Sequence, residues 1–301
     1  MHNLLGAGKS TLISTMRSIH STRKRDKLIM PLFPIQGRTQ GIEVGAIQKE
    51  EIRVSLWDMA GQSEFHAFHD CMFPDIRTSS YQLPSMFMFV WSPIHSKSRE
   101  KGAVKNEKNL EASFRYWLRF LASKSRQSNV ALKVIVVFTR ADQMNPPKVS
   151  SWLSNSIDSL RSHFQGVIDI VDPLFDVDAR KEGSVKAVAE CVFIVASEML
   201  RGVQMYKICT QVSDRLSMHL KTTNERIITW EKFTEIFNNK AKLNAIALSL
   251  NELGTIIYIN KIKHIVLDPN WFCNEIMGSL IHFPKSKTYK GTILFENGCI
   301  P

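Results

Sequence analysis

The chain has 301 residues, with 39 Lys and Arg against 28 Asp and Glu, a formal net charge of +11, and 44% of its residues are hydrophobic. That length and balance allow about two domains with real cores. Five scattered cysteines, an odd number, exclude a disulfide framework or a CxxC zinc site, and no apolar run approaches the roughly 18 residues of a membrane span. A reducing, cytoplasmic compartment fits. The basic residues are dispersed, apart from local clusters such as Arg23-Lys24-Arg25 and the stretch from Lys97 to Lys108. They read as solvated surface rather than a nucleic-acid footprint, with contact to an anionic membrane surface left open.

The first element is a helix announced by Gly6-Ala7-Gly8-Lys9-Ser10-Thr11. In a P-loop, backbone N–H groups wrap a phosphate, the Lys neutralises the outer phosphates and the Ser hydroxyl ligates Mg²⁺. The helix N-terminus adds its positive end. Asn3 stands where the signature's first Gly belongs, and only Met1 and His2 precede it to supply the buried strand such a loop leaves. The expectation is that the natural chain extends N-terminally, and that without that strand it binds nucleotide weakly.

Next come paired strands, Ile42 to Gln48 and Ile52 to Trp57, each alternating. Met86 to Trp91 and Ala131 to Phe138 are continuous apolar runs suited to strands buried on both faces of a parallel sheet. Between and after them run amphipathic helices. Phe114, Trp117, Leu118 and Leu121 share one face within 106–123, and Leu153, Ile157, Leu160 and Phe164 repeat the spacing. A strand near Val167 to Phe175 and a helix over 184–202 complete an α/β unit with an open, mostly parallel sheet. From Val203 the pattern changes to helices over 207–220, 230–238 and 243–253. Two short strands and a helix opened by Asp268-Pro269 follow. This second part reads as a mainly helical, winged-helix-like module, with the boundary near residue 203.

Three further pieces stand at strand ends, where an α/β sheet binds its ligand. Asp58-Met59-Ala60-Gly61-Gln62 offers Asp58 to the Mg²⁺ shell, the Gly61 N–H to a γ-phosphate and Gln62 to the attacking water. Thr139-Arg140-Ala141-Asp142 offers a carboxylate to the N1 and N2 donors of guanine. Asp178-Ala179-Arg180 offers the Ala179 N–H to the guanine O6, and Thr39 can close on the metal. Each piece alone has a plain alternative as a helix cap or loop residue. Together and in order they point to a Ras-like fold binding GTP and GDP with Mg²⁺, with Lys9, Gly61 and Gln62 in the catalytic roles.

The stretches LWDMAGQSEFHAFHDCMF and LNELGTIIYINKIKHIVLDPNWFCNEIMGSLI resemble the switch II segment and the COR winged helix of ROCO proteins. The resemblance covers nearly the whole chain. It implies a Roc GTPase domain over 1–202, the N-terminal part of COR over 203–301, and slow GTP hydrolysis coupled to COR-mediated homodimerisation and signalling. Arg140 and Thr139 stand where GTPases more often carry Lys and Asn. A nucleotide-binding scaffold without relevant turnover is the competing reading. DNA binding by the winged helix is disfavoured because 243–253 is apolar and has no Arg or Lys for phosphates. His66, His69 and Cys71 lack a second ligand pair and read as part of the switch II helix rather than as a metal site.

Overall fold

The computed structural model describes residues 7–20, 42–60, 83–95, 102–125, 131–144, 149–201, 207–237, 243–258 and 262–278. In its first part the elements are α1 (Lys9–His20), β1 (Ile42–Lys49), β2 (Ile52–Met59), β3 (Phe87–Trp91), α2 (Glu107–Ser125), β4 (Leu132–Thr139), α3 (Val149–His163), β5 (Ile168–Val177) and α4 (Glu182–Met199). The apolar runs form a parallel sheet in the order β3-β4-β5. Among the described residues, β1 and β2 form a separate antiparallel pair. The expected mostly parallel sheet is therefore described as two pieces.

Strand alternation sorts the core into two layers. Val134, Val136 and Phe138 face α2 and α3, meeting Phe114, Leu118, Leu153, Ile157 and Leu160. Ile135 and Val137 face α1 and α4, meeting Leu12, Met16, Val185, Val188 and Val192. Both faces of β4 are thus buried, which is why its sequence is an unbroken apolar run. Phe89 of β3 stacks on Phe114, with ring centroids 4.2 Å apart. At about 25 cal/mol per Å² of apolar surface removed from water, layers of this kind hold the α/β unit together.

The second part contains α5 (Lys207–Thr223), β6 (Ile227–Thr229), α6 (Trp230–Phe237), α7 (Leu243–Glu252), β7 (Ile257–Tyr258), β8 (His264–Val266) and α8 (Pro269–Trp271), which continues as a π-helical stretch, Phe272–Met277. The sheet order is β6-β8-β7, all antiparallel. The expected hairpin, β7–β8, therefore belongs to a three-stranded sheet with β8 at its centre, whose third strand, β6, the sequence did not announce. Asp268 caps α8 by accepting from the Trp271 N–H at 3.0 Å, with Pro269 in the first turn. Trp271 and Phe272 pack against the buried Ile42, Ile257, Val266 and Cys273, as core residues do.

That last cluster joins the two parts, because Ile42, Val44, Trp57 and Met59 belong to the β1–β2 pair. The outer edge of β1 is held by side-chain amides. Asn270 Oδ1 accepts from the Val44 N–H at 2.7 Å, its Nδ2 donates to the Val44 carbonyl at 3.1 Å, and Asn274 Nδ2 reaches the Ile42 carbonyl at 3.4 Å. Ser55 Oγ donates to the Leu253 carbonyl at 2.8 Å, and the Leu83 N–H donates to Glu252 Oε2 at 2.7 Å. Gly254 lies at φ +66, and a Cβ there would sit 2.4 Å from a Val44 methyl and 3.1 Å from the Trp57 ring, so a side chain at this position would be strained and would have to displace the Val44 side chain.

Candidate nucleotide site

The site forms where β2, β4 and β5 end beside the start of α1. Gly8 adopts φ +79, a conformation open to glycine and rarely to other residues, and its carbonyl accepts the Leu12 N–H at 2.9 Å as α1 begins. The loop is pinned from beneath. Thr139, fully buried at the end of β4, donates its hydroxyl to the Ala7 carbonyl at 2.5 Å, with the Trp91 carbonyl farther off at 3.5 Å. Thr139, expected as a nucleotide contact, is thus placed to fix the P-loop backbone.

Lys9 follows. Burial pulls its ammonium below the ordinary lysine value, and the Asp58 carboxylate pushes it back up. Asp58 is 3% exposed at the end of β2, and its register partner on β1 is Glu43. Burial, and then the Asp58 charge, push the Glu43 carboxyl up to about 7, against the pull of Arg17. Arg17 comes from the far end of α1 and lies over Gly45, where a Cβ would be 3.3 Å from its guanidinium carbon. Neither Glu43 nor Arg17 was singled out by sequence, since no motif spacing marks them.

On the base side, Arg140 takes a left-handed conformation, φ 58, and opens the short 3₁₀ turn Ala141–Gln143 that carries Asp142. Thr15 of α1 donates to the Ala179 carbonyl at 2.6 Å, tying the loop after β5 to the P-loop helix. Arg180 Nη2 donates to Asp142 Oδ2 at 3.1 Å. Lys105 adds positive charge to this end: its ammonium donates to the Ser92 carbonyl at 2.8 Å and lies 5.1 Å over the Trp91 ring, and burial plus nearby Arg140 push it down to about 8.

The fold therefore gathers Ala7, Gly8, Lys9, Ser10, Thr11, Asp58, Thr139, Arg140, Asp142, Ala179 and Arg180 at one end of the sheet. Gly6, Thr39, Gly61 and Gln62 lie outside the described residues, as do Asn3, the strand expected before the loop, and His66, His69 and Cys71. The donors that are described suit Mg²⁺: Ser10 at the first turn of α1 offers a hydroxyl and buried Asp58 a carboxylate, both hard oxygens. Among the described residues no helix is long and apolar enough to cross a membrane.

A P-loop helix set against the C-terminal ends of a parallel sheet, with helices on both faces, is the Ras-like GTPase fold. Protein TORNADO 1 of Arabidopsis thaliana is 27% identical over 314 residues, covering 95% of this chain and 22% of that protein. The structure of Methanosarcina barkeri Roco2 RocCORdC bound to GDP superposes with a TM-score of 0.55 at 18% identity, covering 93% of this chain and 74% of that one. No family model matches. These likenesses support a ROCO Roc–COR core. The chain spans 22% of the length of that curated relative.

Proposed function

We propose that the chain is a guanine-nucleotide-binding switch with slow, Mg²⁺-dependent GTP hydrolysis, built from a Roc domain over 1–202 and the start of COR over 203–301. The observation that carries this reading is the convergence of the Thr139-pinned Gly8 loop, the buried Asp58, Lys9 and Asp142 at one sheet end. A phosphate chain would lie over the backbone N–H groups of 7–11 with Lys9 against its outer charge. Ser10 and Asp58 would hold Mg²⁺, which when bound neutralises charge on the phosphates. Asp142 would accept from the base N1 and N2 donors, and the Ala179 N–H would donate to O6. The relative that binds GDP has this fold, which favours a guanine ligand.

Thr39, Gly61 and Gln62 would complete the site by closing on the metal, approaching the γ-phosphate and orienting water. Coupling to COR is supported by the Asn270 and Asn274 contacts on β1, which begins three residues after Thr39. The order helix, strand, helix, helix, strand, strand over 207–266 is that of a winged helix. Homodimerisation through COR and a role in signalling follow from the ROCO likeness and belong to this proposal.

Calorimetric titration of GDP and ADP in the presence of Mg²⁺ tests the reading. GDP should bind at least about 100-fold more tightly, and Asp142→Ala should weaken GDP by about 10–100-fold, the range of one charge-assisted hydrogen-bond pair in a part-buried site. Equal affinity for the two nucleotides, or no effect of Asp142→Ala, contradicts it.

A further inference from the structure

Asp178 stands next to the base-recognition groups, yet its side chain faces Arg180. It is buried. Its Oδ1 accepts the Arg180 backbone N–H at 3.1 Å and the Arg180 Nε–H at 2.9 Å, while Oδ2 accepts from Nη2 at 3.0 Å. Lys181 Nζ lies 3.5 Å from Oδ2. The backbone of Asp178 is itself fixed: its N–H donates to Ser184 Oγ at 3.0 Å, and its carbonyl accepts the Lys181 N–H at 3.0 Å. The guanidinium is therefore gripped in a two-point, fork-to-fork manner from one side. Only Nη2 also reaches Asp142, at Oδ2. The Arg180 bonds hold the Asp178 carboxyl down at about 2, so the grip persists at physiological pH.

This division of one cation between two carboxylates has a consequence for recognition. A guanine edge offers two parallel N–H donors, and so does a guanidinium. An Arg180 released from Asp178 would be a competitor for the whole Asp142 carboxylate, matching it in the geometry the base needs. Held as it is, Arg180 touches one oxygen, leaving Asp142 Oδ1 and the second lone pair of Oδ2 for the ligand. Arg180 is 65% exposed in its side chain, and among the described residues its side-chain bonds go to Asp178 and, through Nη2, to Asp142.

We infer that Asp178 is a specificity-positioning residue: it limits Arg180 to a single contact with Asp142, at Oδ2, so that the rest of the carboxylate remains available to a base carrying two adjacent N–H donors. The inference rests on the guanine-nucleotide reading above. It goes beyond that reading in assigning a role to an acid that itself touches no nucleotide.

The test compares GDP with IDP, whose base keeps N1–H but lacks the exocyclic amine. In the full chain with Mg²⁺, the ratio of the two affinities should fall about tenfold in Asp178→Asn, which keeps an acceptor for the backbone N–H but loses the ion pair. It should return toward the wild-type ratio in Asp178→Asn combined with Arg180→Gln, because the competitor is then gone. A purely structural role for Asp178 would leave the double variant as impaired as the single one. In the nucleotide-free chain, the Arg180 Nε–H resonance should be protected from solvent exchange and lose that protection in Asp178→Asn. A ratio unchanged in Asp178→Asn, or no recovery in the double variant, overturns the inference while the wild type still binds GDP. A wild type that binds no GDP while Arg180 Nε–H stays protected overturns the nucleotide reading itself, and this inference with it.

Discussion

At the proposed nucleotide site, Thr139 illustrates how one side chain can shape a loop through its backbone. It is fully buried at the end of β4, and its hydroxyl meets the Ala7 carbonyl, so its effect passes through the P-loop backbone. Replacing it with the isosteric Val removes the donor and leaves a buried carbonyl unsatisfied, at a cost of about 1–3 kcal/mol. Part of that cost should appear as lost nucleotide affinity, since the loop would no longer be held for binding. Thr139→Val is expected to lower the unfolding midpoint and weaken GDP about tenfold, with Thr139→Ser near wild type in both. Denaturant titration beside nucleotide titration checks this, and a Val variant matching wild type would mean that the loop holds its shape unaided. The sequence displayed Thr139 only as an uncommon residue in a base-recognition motif. What it bonds to lies 132 positions away, and spacing along the chain carries no record of that distance. The same holds for Asp178, Arg180 and Asp142, where a separation of 38 positions between Arg180 and Asp142 hides the pairing.

At the scale of elements, the strands of the parallel sheet and the helices packed on it were legible because burial imposes a period. Val134 to Phe138 face alternate layers, and Leu153, Ile157 and Leu160 recur on one helix face and are all buried. Helix ends were less so: α4 starts at Glu182 rather than Ser184, since no side-chain cap marks its first turn. The three-residue strand β6 was not legible at all, being too short to display alternation. Nor was the joint between the two parts, where Asn270 and Asn274 stand one helical turn apart and act as a surrogate strand along β1. Asn270→Ala would strip both the Val44 N–H and carbonyl of their partners. It is expected to destabilise the chain by about 1–3 kcal/mol, with Asn270→Asp in between, because it keeps the acceptor and loses the donor. Urea unfolding followed by tryptophan fluorescence reads this through Trp57 and Trp271, which flank the joint. Unaltered stability in Asn270→Ala would show that the apolar cluster alone carries it.

For the molecule as a whole, a nucleotide switch depends on a path from the phosphate end of the proposed site to the second module. Its described segments are continuous: the Asp58 carboxylate on β2 acts on the Lys9 ammonium, Asp58 lies opposite Glu43 on β1, and the next residue, Val44, is held by Asn270. A change in the position of β1 would be felt by the Asn270 helix through the Val44 bonds, and by Gly254, which packs closely against the Val44 side chain. A ligand moves such an equilibrium only by binding the two arrangements unequally. The most direct measurement is therefore amide hydrogen exchange on the full chain, with Mg²⁺-GDP and with a non-hydrolysable Mg²⁺-GTP analogue at saturation. A nucleotide switch predicts exchange that differs between the two at Val44 and across 270–278, with the core of β4 unchanged. Identical exchange in both segments under the two nucleotides, or failure of either to bind, would contradict it.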